Sequence, residues 1–149
     1  MVTRLNIIDQ LETDLKRHYK RRNKRYNTYH FTPKSITVGS PDTVSIKQYP
    51  AISFYGYGDP QIEASLGGPN QRIFQILLTG YVKASKWKDI YKLCEDIEHF
   101  LYSDDFGGDL EIGIKLSEEG PRFYGNVTML AAGLACFDLE FTIQYTQNI

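Results

Sequence analysis

Acids and a histidine stand closest together at Glu95-Asp96-Ile97-Glu98-His99. On a helix, Asp96 and His99 share a face, as paired ligands do in helical metal motifs. A zinc or di-iron centre needs three or four ligands, and the second histidine of such motifs is missing because position 95 is Glu. His99 therefore reads as a surface residue. Cys94 falls on an apolar stripe and reads as a small buried hydrophobe, not a nucleophile. Neither a Gly-x-Ser-x-Gly elbow nor a P-loop occurs. Gly56-x-Gly58 and Gly67-Gly68 precede no helix, as a phosphate loop would require, so they read as turn glycines. The expectation is a chain that is not an enzyme and holds neither metal nor cofactor.

Charge is better organised than catalysis. Seven of the ten residues from Lys16 to Arg25 are basic: Lys16, Arg17, Lys20, Arg21, Arg22, Lys24 and Arg25. Glu95 to Glu119 holds nine acids, among them Glu95, Asp96, Glu98, Asp104 and Asp105, against the single base Lys115. The formal net charge is only −1, so the chain is bipolar. A molecule positive in one place and negative in another complements itself when copies meet head to tail, and such contacts close into rings or run on as filaments. The basic run ends a helix, where the macrodipole favours cations, yet seven bases on two turns repel one another. The acids of the second helix fall in its later turns, behind Lys86 and Lys88, which opposes the dipole. Both features read as partner-binding surfaces. A pI near 6.3 lacks the general basic footprint of a dedicated DNA binder.

These surfaces need elements to hold them. A length of 149 residues is one domain by the usual prior, and 42% hydrophobic content supports a core. Two cysteines are too few for a disulfide framework, and neither a signal peptide nor an apolar run of membrane-span length is visible, which suggests folding in a reducing cytoplasm. A first helix is predicted over Asn6–Arg22, with Thr3 or Asn6 as cap and a stripe of Leu5, Ile8, Leu11, Leu15 and Tyr19. Residues 23–42 read as a loop or extended arm. Strands are expected at Thr43–Gln48, Ala51–Tyr57, Gln61–Leu66 and Gln71–Lys83, the last with Phe74, Ile76, Leu78 and Val82 on one face. A second helix over Ser85–Tyr102 carries Trp87, Ile90, Cys94 or Leu93, Ile97 and Leu101. Leu110–Leu116, Arg122–Ala131 and Leu134–Gln147 close the chain as strands. In the last, Phe137, Leu139, Phe141, Ile143 and Tyr145 alternate with polar residues, the signature of one buried face and one wet one. The fold class is α+β: a single domain, 1–149, with a largely antiparallel sheet and two main helices packed on one face.

The stretch Pro50-Ala51-Ile52-Ser53-Phe54-Tyr55-Gly56-Tyr57-Gly58 leads through a glycine-bearing loop to Gln71-Arg72-Ile73-Phe74-Gln75-Ile76-Leu77-Leu78-Thr79-Gly80-Tyr81-Val82-Lys83. An acidic amphipathic helix and a closing strand ending Phe141-Thr142-Ile143-Gln144-Tyr145 follow. This succession resembles the tail terminator (tail completion) proteins of long-tailed bacteriophages and related contractile systems. The likeness spans Leu5 to Thr146 in architecture and is closest in the central hairpin. It implies an α+β subunit of a hexameric ring that caps the tail tube, and a place in the virion. The implied partners are its own copies, the tube, the sheath where there is one, and head-side neck proteins. Loops 59–70 and 104–109 would make axial contacts, with Asp59, Gln61, Glu63, Asn70 and Arg72 as the contact residues of the first. Against DNA passing through the lumen, the basic helix end would be a non-specific contact. The sequence leaves open whether that end faces the lumen or a neighbouring subunit. Another neck or head–tail connector adaptor is the nearest rival. An accessory nucleic-acid-binding protein acting through Lys16–Arg25 is the rival of a different class.

Overall fold

In the computed structural model, described over residues 3–25, 35–39, 48–58, 71–102, 115–116, 120–124 and 133–146, the chain folds as two helices on a mostly antiparallel sheet. Helix α1 spans Arg4–Arg25, three residues further at its C-terminal end than the apolar pattern predicts. Its start is fixed by a reciprocal cap: the Thr3 amide donates to Asn6 Oδ1 at 3.0 Å, and the Asn6 amide donates to Thr3 Oγ1 at 3.1 Å. The buried stripe differs from the predicted one. Ile7, Leu11, Leu15 and Tyr19 are buried at four-residue steps, whereas Leu5 is 67% exposed and Ile8 only half-buried. Asp14 and His18 complete the inward face, so a polar pair occupies positions that a count of apolar residues passes over.

The expected arm is partly a strand. Ser35–Val38 forms β1, which runs parallel to β2 (Ala51–Gly58) in register Ser35↔Ala51 to Val38↔Phe54. Ile36, Thr37 and Val38 are good β-formers, but four residues carry too little pattern to betray a strand; pairing with β2 supplies the stability. Strand β3 (Gln71–Lys83) has the predicted bounds and lies antiparallel to β2, with an irregularity between Gly56 and Gly58. The other predicted strands, Thr43–Gln48 and Gln61–Leu66, lie outside the described residues except for Gln48, which is not in a strand.

From β3 the chain winds through a 3₁₀ turn, Ala84–Lys86, into α2, Asp89–Leu101. The Ala84 amide donates to the Gly133 carbonyl at 2.9 Å, which ties this exit to the start of β6. Bonds from Ile90 to Trp87 and from Tyr91 to Lys88 are of the tighter i→i+3 kind, so the regular helix begins four residues later than predicted. The short strands β4 (Lys115–Leu116) and β5 (Arg122–Tyr124) both pair with the same edge of β6 (Leu134–Thr146). The sheet order is β1-β2-β3-β6-β4, with β5 beside β6.

The ladder between β3 and β6 is the spine of the molecule, unbroken from Gln71↔Thr146 to Lys83↔Leu134. Period-two alternation puts Phe74, Ile76, Leu78 and Val82 on the same side as Phe137, Leu139, Phe141, Ile143 and Tyr145, and all are buried. From α2, Ile90, Leu93, Cys94, Ile97, Phe100 and Leu101 meet that face, and α1 brings Ile7, Leu11, Leu15 and Tyr19 to the same cluster. At about 1.5–3 kcal/mol per fully buried large side chain, this one layer of helix on sheet dominates stability. Both helices lie on one face, joined by the His18 ring 4.9 Å from that of Phe100.

Candidate interaction surfaces

The basic run starts where α1 is already partnered. Arg17 donates to Asp14 Oδ1 at 2.7 Å, and Gln10 Nε2 donates to the same oxygen at 2.7 Å, so the buried carboxylate of Asp14 is held by its own helix. Lys16 lies 3.5 Å from Glu12 across one turn. Lys20, Arg21, Arg22, Lys24 and Arg25 continue the helix, which places positions 16, 20 and 24 on one row and 17, 21 and 25 on the next.

The predicted acidic surface loses one member. Asp96 is 3% exposed and faces inward with Ile97 and Leu93, so it is no part of a surface. On α2, position 96 follows Leu93 by three residues and precedes Phe100 by four, which places it within the buried stripe. Its charge bears on Tyr19. Burial first, then the nearby Asp96, push that phenol well above its usual range. Glu95 remains exposed and Glu98 half-exposed, with the Cys94 thiol donating to Glu98 Oε1 at 3.4 Å. Burial and then the Glu98 charge push the Cys94 thiol far up, in keeping with an inert residue. His99 is exposed. Asp104 and Asp105 lie outside the described residues, as do Asp59, Gln61, Glu63 and Asn70 of the axial loop; Arg72 stands half-buried on β3.

His18 packs on Phe100 and Tyr19 lies in the field of Asp96, so α1 meets α2 through buried residues that lie within the basic stretch of the sequence.

Sequence reasoning missed a different surface. Trp87 was expected on the apolar stripe of α2; it stands before the helix and is 41% exposed. Its ring centroid is 6.4 Å from that of Tyr91, which is 5.9 Å from Phe123 on β5, which in turn is 5.7 Å from the buried Phe137. Lys88 places its ammonium 5.7 Å over the Trp87 ring. The i,i+4 spacing of Trp87 and Tyr91 was visible in the sequence, but Phe123 joins them only through the β5–β6 register Phe123↔Leu139.

The sheet face away from the helices is mixed. Ala51, Ser53, Thr79 and Tyr81 are buried there, with hydrogen bonds between Ser53 and Tyr81 at 3.0 Å and from Thr79 to Asp138 at 2.9 Å. Further along, Tyr57 is exposed beside Tyr55, and partial burial together with a hydrogen bond to Glu140 pushes its phenol up to about 12. Gln75, Gly120, Arg122, Glu140 and Thr142 surround a shallow hollow of about 120 Å³. Among the described residues, no group of three or more His, Cys, Asp or Glu is placed to hold a metal ion, and no helix is long and apolar enough to cross a membrane.

Among the described residues, these elements define a two-layer α+β sandwich, two helices on one face of a six-stranded sheet. No protein-family model matches this sequence, and no curated protein matches it significantly.

Proposed function

We propose that this chain is a structural subunit that assembles with its own copies into a ring, of the kind that caps the tail tube of a long-tailed phage and joins it to head-side neck proteins in the virion. The observation that carries this reading is that, of the eight large hydrophobic side chains exposed among the described residues, all but Leu5 and Val38 are aromatic: Tyr57, Trp87, Tyr91, Tyr102, Phe123 and Tyr124. Aromatic residues are the side chains that interfaces concentrate, because each brings large contact area at small entropic cost. The α+β architecture with both helices on one face also agrees with what the resemblance of Pro50–Lys83 and Phe141–Tyr145 implies. Native mass measurement and negative-stain imaging at low salt test the reading, alone and with purified tail tubes. A closed multimer, six copies by the resemblance, is expected. A strict monomer under both conditions removes it.

One observation favours a second reading, nucleic-acid binding: the helix continues through Arg25, so sequence positions 16, 20 and 24 and positions 17, 21 and 25 fall on adjacent rows. DNA affinity measured against salt decides it, since each phosphate contact steepens the log–log slope by about 0.9. A flat response excludes it.

A further inference from the structure

We infer that the sheet face turned away from the helices binds an uncharged sugar, seating one pyranose ring in the hollow between β3, β6 and β5. The inference goes beyond the ring reading and does not depend on it. Four polar side chains line the hollow: Gln75, Arg122, Glu140 and Thr142. They stand on adjacent strands in fixed register, Gln75 opposite Thr142 and Arg122 opposite Glu140. A ladder holds such groups in place before anything binds, so little order is lost on binding. The hollow holds about 120 Å³ and is open on one side. An enclosed cavity of about 150 Å³ accommodates benzene, so one six-membered ring fits here with part of it projecting.

The inventory of donors and acceptors narrows the ligand. Arg122 only donates, Glu140 only accepts, and Gln75 and Thr142 do both. The one positive and one negative charge of this lining cancel. A bound anion would meet the Glu140 carboxylate, and a bound cation the Arg122 guanidinium. A hydroxyl suits both, because it donates to the carboxylate and accepts from the guanidinium. Neighbouring hydroxyls on one rigid ring serve several of these groups at once. The rim supplies the other half of sugar recognition. Tyr57 and Tyr124 are 41% and 44% exposed and lie within each other's field, and the Tyr57 hydroxyl donates to Glu140. A pyranose has polar edges and faces of carbon-bound hydrogens, and the negative face of a tyrosine ring attracts those hydrogens. A nucleotide also brings a ring and hydroxyls, but its phosphate would face Glu140, with Asp138 two residues away on the same side of β6.

Saturation-transfer NMR, read on the ligand, tests this with the full-length protein in whatever assembly it forms. The probes are the methyl glycosides of glucose, galactose, mannose and N-acetylglucosamine, with inorganic phosphate and tetramethylammonium as charged alternatives. At least one glycoside should bind with a Kd of about 1 mM, the range for a single ring on a shallow site, and transfer should be strongest to its carbon-bound ring protons. Glu140→Gln, Arg122→Gln and Thr142→Val should each weaken it about fivefold or more, whereas Leu5→Ala on α1 should leave it unchanged. Circular dichroism confirms folding, and Thr142→Val keeps both the shape and the strand preference of its position. The inference is overturned if no glycoside shows transfer at about 20 mM, or if Thr142→Val and the other folded variants bind like wild type. Phosphate or tetramethylammonium binding in place of every glycoside overturns it as well. A ring that assembles yet takes up no sugar sinks this inference alone.

Discussion

Adding a single methyl group at Gly80 tests the packing that the whole molecule depends on. Gly80 sits mid-ladder on β3, opposite Phe137 of β6, and Leu93 of α2 descends onto the same spot. A Cβ built there overlaps Cε1 of the Phe137 ring, stands 2.5 Å from its Cζ and 2.9 Å from Leu93 Cδ2, where carbon atoms prefer about 3.5–4.0 Å. Phe137 and Leu93 are fully buried, so neither has free space to retreat into. Overpacking of this kind costs about 1–3 kcal/mol, against a gain of about 0.4–1 kcal/mol from a stiffer unfolded chain. The overlap decides the sign. Gly80→Ala should lose about 1–2 kcal/mol, equivalent to roughly 2–8 °C in Tm for a domain of this size. Equilibrium urea unfolding, with Phe137→Leu and the double variant alongside, measures both the loss and its cause. Shrinking the ring should offset part of the Gly80→Ala loss, leaving a coupling of about 0.5 kcal/mol or more. An unchanged or raised Tm for Gly80→Ala, or strictly additive losses, would refute the close contact.

Other consequences follow from the same core. Asp96→Lys should cost about 3–5 kcal/mol in thermal unfolding because it buries an unmatched charge, whereas Glu95→Lys on the open face should stay within about 0.5 kcal/mol; equal effects would mean that Asp96 is not buried. Tyr19, Tyr57, Tyr81, Cys94 and Cys136 all have native pKa values raised, chiefly by burial. Each is easier to ionise unfolded, so their contribution is intact below the ordinary thiol and phenol ranges and is lost as pH climbs through about 9 to 12. Melting curves from pH 7 to 11 should therefore fall only at the alkaline end, and a flat profile would contradict the burial. Cys94 should resist iodoacetamide at pH 8 in the native state and react once urea unfolds the chain; prompt native labelling would place it at the surface. Thr3→Ala should cost about 1 kcal/mol by removing half of the reciprocal cap, and no loss would show that the helix start is held otherwise.

Periodicity alone located the spine. The alternation in β6 and the Phe74–Val82 face of β3 dictate which side is buried, because a one-residue slip would turn every one of those side chains to water. The α+β class and the approximate helices follow from the same local rule. Packing decided what periodicity does not encode. His18 and Asp96 are buried where α1 meets α2, and Asp14 is buried on the inward face of α1, whereas a polarity count assigns all three to solvent. Strand β1 exists because β2 offers an edge, and Trp87 is exposed because the chain leaves β3 through a 3₁₀ turn before the helix begins. The candidate surface was legible only in parts. Trp87 and Tyr91 stand four residues apart in the sequence, but Phe123 joins their row only through the register of β5 with β6. The contact of α1 with α2 is encoded in no local pattern, since segments some 80 residues apart meet only in the packed sheet and helices.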